Sequence, residues 1–117
     1  MDQVTPAWAE SRLAWLTDQI DQGVAVVSER ESAWLLAARE YDREFARAYL
    51  VADGPQAEKK YRAELECAQL RIDMEVAKLA FRHAERKMRA LETQLTAVQT
   101  ISRSLVASMG AAVGRGR

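Results

Sequence analysis

The 117-residue chain has one cysteine, one histidine, two prolines and five glycines. A lone Cys67 excludes an intramolecular disulfide or a cysteine-based zinc site, and it fits a reducing compartment in which a small buried residue is its role. No segment joins a basic start to an apolar core and a small-residue cleavage site. No apolar run approaches the roughly 20 residues that span a bilayer either, so a cytoplasmic protein with no membrane partner is expected. Four of the five glycines sit at Gly54 or in the last eight residues, which leaves two long stretches almost without punctuation.

Charge of one sign is missing too: 17 basic and 17 acidic residues cancel, which argues against a protein whose main task is to coat nucleic acid or an anionic membrane. The charges are unevenly placed, however. Residues 1–52 hold 9 acids and 5 bases, net −4, and residues 53–117 hold 8 acids and 12 bases, net +4. The two halves are electrostatically complementary.

What fills the long stretches is Ala, Leu, Arg, Glu and Gln, which lose little rotamer freedom in a helix. Thr5-Pro6 reads as a helix start, Thr capping and Pro giving up an N–H that the first turn would not use. Leu13, Leu16, Ile20, Val24, Val27, Trp34, Ala38, Tyr41, Phe45 and Ala48 then recur at the three-four spacing of one helix face. Glu31 is a polar interruption. Ser28 with Glu31 also forms a capping-box pattern that could start a separate helix, but the stripe keeps its phase through this region and continuity is the preferred reading. Asp53-Gly54-Pro55 ends the stripe in a reversal.

A second helix is expected from about residue 56 to 109, roughly 80 Å long against roughly 70 Å for the first. It carries two apolar tracks. One is Tyr61, Leu65, Ala68, Ile72, Val76 and Leu79; the other includes Leu70, Met74, Ala77, Phe81, Ala84, Met88, Leu91, Leu95, Val98, Leu105 and Met109. Ile72 and Met74 are about 200° apart on a helix of 3.6 residues per turn, so the tracks point in nearly opposite directions. The first helix can cover only one of them.

The expectation is therefore an all-α fold: a single domain over residues 1–117, built as a long antiparallel helical hairpin with helices over about 6–52 and 56–109, a turn at 53–56 and a flexible basic tail at 110–117. Exposed apolar positions, with Leu70, Met74, Phe81, Met88, Leu91 and Leu95 as candidates for self-association, would close it into a homodimeric, coiled-coil-like four-helix assembly.

Candidate chemistry is sparse. Cys67 and the sole His83 are sixteen residues apart on one expected helix, about 24 Å, too far for a nucleophile and its base. His83-Ala84-Glu85 has no downstream cysteine pair, the Glu-x-x-His spacing of di-metal bundles does not occur, and no phosphate loop follows a strand. The expectation is a non-enzymatic protein without cofactor. Trp8 and Trp15, seven apart and off the stripe, are a candidate protein-binding surface, because Trp is enriched at binding hot spots. Arg82, Arg86, Lys87, Arg89, Arg103, Arg115 and Arg117 are the candidates for the alternative partner, nucleic acid, since backbone binding needs only clustered positive charge.

The run Tyr41-Asp-Arg-Glu-Phe-Ala-Arg-Ala-Tyr-Leu50, then Ala52-Asp-Gly54, Ala57-Glu-Lys-Lys-Tyr-Arg-Ala63 and Ala84-Glu-Arg-Lys-Met-Arg-Ala-Leu91 through Ser102, resembles a group of small helical proteins encoded by phages and prophages, especially of actinobacteria. The resemblance covers about residues 38–109. It implies a setting among phage replication and recombination genes, in the host cytoplasm. It implies no mechanism; the expected function is interaction or adaptation on a phage or host protein, with a DNA-binding accessory role in recombination or replication as the alternative. The pair Trp8 and Trp15 departs from the group's pattern.

Overall fold

The computed structural model describes residues 3–115, with side chains described through Gly110. Three helices follow one another: α1 (Pro6–Val51), α2 (Gln56–Glu66) and α3 (Ala68–Arg115). The fold is all-α, a helical hairpin in which α1 and α3 pack against each other. Among the described residues no helix is long and apolar enough to cross a membrane.

The caps explain the boundaries. The Thr5 hydroxyl accepts from the Trp8 backbone N–H at 3.1 Å, and the Thr5 carbonyl accepts the first helical bond, from Ala9, at 3.0 Å. From there α1 runs without a break through Gly23 and Ser28, so the capping box at Ser28 stays inside a helix. The reversal rests on Gly54, whose φ of 103° lies where side chains are disfavoured. A Cβ there would also stand 2.9 Å from Glu58 Oε2.

Two boundaries differ from the sequence reading. The second arm is interrupted at Cys67, whose φ of −97° and ψ of 11° leave the helical region. The interruption is shallow: the Cys67 N–H still donates to the Ala63 carbonyl and the Cys67 carbonyl still accepts from Arg71, both at 3.0 Å. The other difference is at the C-terminus, where α3 continues through Gly110 and Gly114 to Arg115 rather than ending near 109. Arg117 lies outside the described residues, as does the side chain of Arg115.

The chain divides into two compact units. One combines Met1–Ala25 with Arg86–Arg117, and the other is Val26–Glu85. In the first, Ala9, Leu16, Leu91 and Val98 form a buried cluster, with Trp8, Leu13, Ile20, Leu95 and Leu105 packed around it. Gly23 completes this seam by absence, since a Cβ at that position would lie 2.6 Å from the terminal methyl of Met88. Val24, the expected stripe residue beside it, is instead exposed.

The second unit uses a different packing. Ala48, Ala63 and Cys67 are buried, and the larger Tyr41, Phe45 and Tyr49 of α1 pack against them. Small residues under aromatic ones let the helices approach while the rings fill the space between them. Further along the same unit the Trp34 and Phe81 rings stack with centroids 5.6 Å apart. Arg47 joins Glu44 of α1 to Glu66 of α2, at 2.8 Å to each. Arg47 and Glu66 are exposed and Glu44 is half-buried, so the bridge orients more than it stabilises.

Candidate interaction surface

The residues of the second arm that turn inward form an unbroken row. Ala63, Cys67, Leu70, Met74, Ala77, Phe81, Ala84, Met88, Leu91, Leu95, Val98, Ser102 and Leu105 alternate steps of four and three, and every one is buried or half-buried. That is a heptad seam, the spacing that keeps one face against a neighbouring helix. It holds its phase across the interruption at Cys67, which explains why the interruption does not disturb the packing.

This row corrects the self-association candidates. Phe81 stacks on Trp34, Met88 lies against Gly23, and Leu91 and Leu95 belong to the cluster built with Leu16; Leu70 and Met74 are half-buried on the same face. These six residues serve the intrachain seam. Within Val26–Glu85 the row sets Phe81 on Trp34, and within the other unit it sets Met88 against Gly23 and Leu91 and Leu95 in the cluster with Leu16, so in each unit this row is the one removed from water.

The track left outside is Tyr61, Leu65, Ala68, Ile72, Val76 and Leu79, all within the Val26–Glu85 unit. Its large side chains are 65% (Tyr61), 78% (Leu65), 51% (Ile72), 59% (Val76) and 63% (Leu79) exposed. Side chains of this size at those exposures present on the order of 500 Å² of apolar surface, near the upper end of what a monomer ordinarily leaves to water in one patch. Val26, Leu35, Leu36, Leu50 and Val51 of the same unit are exposed as well. They do not form a stripe, because Arg39, Glu40, Asp42, Arg43 and Arg47 come between them on α1.

The two tryptophans have separate fates. Trp8 is half-buried against the cluster around Leu16. Trp15 is 45% exposed, with the Arg12 guanidinium 4.4 Å from its ring centroid, and Arg12 in turn donates to Gln94 at 3.4 Å. The guanidinium therefore covers one face of the indole.

Of the basic candidates, Arg82, Arg86, Lys87, Arg89 and Arg103 are exposed. They are split between the units, with Arg82 in Val26–Glu85 and the others in the unit that contains Arg86–Arg117. Within the latter, Lys87 points about 100° from Arg86 around the helix and about 200° from Arg89. Lys87 alone points away: Arg86, Arg89 and Arg103 fall within about 100° of one another around α3, the kind of one-sided arc that phosphate tracking uses.

Cys67 is buried, and burial, reinforced by the neighbouring carboxylates of Glu66 and Glu44, pushes its thiol pKa up against a smaller opposing effect of Arg47. His83 is exposed on α3. No group of three or more metal-ligating side chains converges among the described residues.

Searches of protein-family models, of curated proteins and of solved structures each returned no match for this chain.

Proposed function

We propose that this is a non-enzymatic interaction protein: a cytoplasmic helical hairpin that forms a homodimer and acts as an adaptor on a phage or host protein. The observation that carries the reading is the exposed apolar track from Tyr61 to Leu79, because a strip of that area on a charged helical surface is costly to leave in water and marks an interface. The phage setting is supported by the pattern of residues 38–109 alone. An adaptor needs a second contact surface, and the exposed Trp15, with Arg12 stacked on it, offers an aromatic anchor of the kind that dominates binding energies.

The non-enzymatic part of the reading draws on the same geometry. Cys67 is inside the packing with its thiolate disfavoured, and His83 stands about 24 Å further along the arm. A nucleophile needs its base within hydrogen-bond reach.

Sedimentation over a concentration series is the first test. A dimer at micromolar concentration is expected, and a well-folded monomer would end the self-association part. Affinity capture from host lysate with the parent protein and Trp15→Ala tests the adaptor part; loss of one defined partner with the variant is expected, and identical recovery would remove Trp15 from it.

A further inference from the structure

The outer track has a spacing that the inner one lacks. From Tyr61 the steps run four, three, four to Ile72 and then four, three, four to His83, so the positions 61, 65, 68, 72, 76, 79 and 83 read the same in either direction about Ile72. Eleven residues in three turns, 3.67 per turn, keep such a row nearly parallel to the helix axis, whereas the inward row repeats every seven. A row symmetric about its middle residue maps onto itself in a two-fold antiparallel contact, since each position i then meets a position of the same row on the other copy.

We infer that the Tyr61–Leu79 face is covered by the same face of a second copy, antiparallel, with the two-fold axis at Ile72. This rests on the self-association reading above and gives it a surface, a direction and a register. Ile72 meets Ile72 of the second copy, Leu65 meets Leu79, and the small Ala68 meets Val76. These three pairings set apolar against apolar, and the outermost pair sets Tyr61 beside His83 of the second copy.

Area and charge favour a second copy as the occupant. Two such strips, with the aliphatic stems of the flanking Lys, Arg and Glu side chains, bury more than about 1,200 Å², which is where stable specific interfaces begin. One flank of the strip carries Glu64, Arg71, Glu75, Lys78 and Arg82. Under the two-fold about Ile72 that flank meets itself reversed, which sets Glu64 level with the stretch between Lys78 and Arg82 of the second copy. Arg71 already pairs with Glu75 within its own chain at 3.2 Å, and both lie beside the axis, where each can reach its opposite number's partner. The opposite orientation loses this. A parallel pair would set this flank against the opposite one, which carries Arg62, Gln69 and Asp73, rather than against itself.

Disulfide trapping distinguishes the geometries, because the strip is exposed in the single chain and substitution there leaves the core untouched. Leu65→Cys and Leu79→Cys are oxidised with copper–phenanthroline separately and mixed; the parent protein, whose Cys67 is buried, is the control. The expected result is a disulfide-linked dimer from Ile72→Cys alone and from the Leu65→Cys/Leu79→Cys mixture, with at least tenfold less from either of those two alone. Efficient linkage of Leu65→Cys to itself would establish a parallel pair and overturn the inference. A dimer by sedimentation that none of these cysteines traps would overturn the face while leaving self-association standing. A monomer by sedimentation would end both. As a second readout, Glu64→Lys should weaken the dimer at least tenfold and Glu64→Lys with Arg82→Glu should recover most of it; no recovery would refute the reversed-flank charge match.

Discussion

The two units are built from the same two long helices but close them differently. In the unit that joins the N-terminal quarter to the end of α3, aliphatic residues at heptad spacing interlock around Leu16, which has no exposed surface. In Val26–Glu85, aromatic side chains of α1 lie over Ala63 and Cys67, and the far side of the second arm keeps its apolar track in water. One unit directs most of its large apolar groups inward. The other spreads them over two opposite sides of one helix, which is what an element needs if it is to pack twice.

That contrast can be broken most strongly at Leu16. Leu16→Ala removes a fully buried side chain from a seam with no slack and should cost about 2–5 kcal/mol by urea unfolding. Cys67→Ala, which removes only one sulfur atom from the other unit's core, should cost less, about 1 kcal/mol. Equal losses would show that the two cores are not distinct in kind.

Next in size is Ile72→Asp, on the outer track. Because Ile72 is half exposed and outside both buried clusters, helicity at low concentration should be unchanged, while the concentration dependence of the melting temperature disappears. The corresponding change at Phe81, on the inner track, should unfold the protein instead. Circular dichroism at two concentrations separates the two effects.

The turn comes third. Gly54→Ala places a side chain at a φ of 103° and close to Glu58, and should cost about 1 kcal/mol. Gly23→Ala is smaller and of opposed contributions: better helix propensity, about 1 kcal/mol, against displacement of the flexible Met88 methyl. A net change within about 1 kcal/mol of zero is expected, with Met88 shifted in a structure of the variant.

The smallest effect concerns pH. Burial raises the Cys67 thiol pKa above its unfolded value, so the unfolded chain loses this proton first as pH rises. The stability contributed by the buried neutral thiol is full below the unfolded thiol pKa, about 8.5, and falls as pH climbs through the raised folded value. Alkylation of native protein at pH 8 should be far slower than of protein in denaturant. Equal rates would place Cys67 outside the core.

Much of the architecture was legible because it depends on local chemistry. Thr5 and Pro6 start α1, the unbroken phase through Ser28 keeps it whole, and Gly54 turns the chain, each for a reason contained in a few neighbouring residues. The shift at Cys67 was not legible, since Ala63 through Arg71 contains neither Gly nor Pro to signal it. Nor was the separation of Trp8 from Trp15: a spacing of seven puts them on one side of a helix, and only the position of the opposing helix decides that one indole packs against it while the other stands free.

Sequence alone determined that the arm after Pro55 is helical and has two apolar sides, because helical periodicity is a property of one strand of residues. Which side is inside was decided by tertiary packing. Both rows satisfy the same local rule, and only the partners each unit supplies from α1, Trp34 for Phe81 and the Leu16 cluster for Leu91 and Leu95, decide that the inner row is buried and Tyr61 to Leu79 stays at the surface.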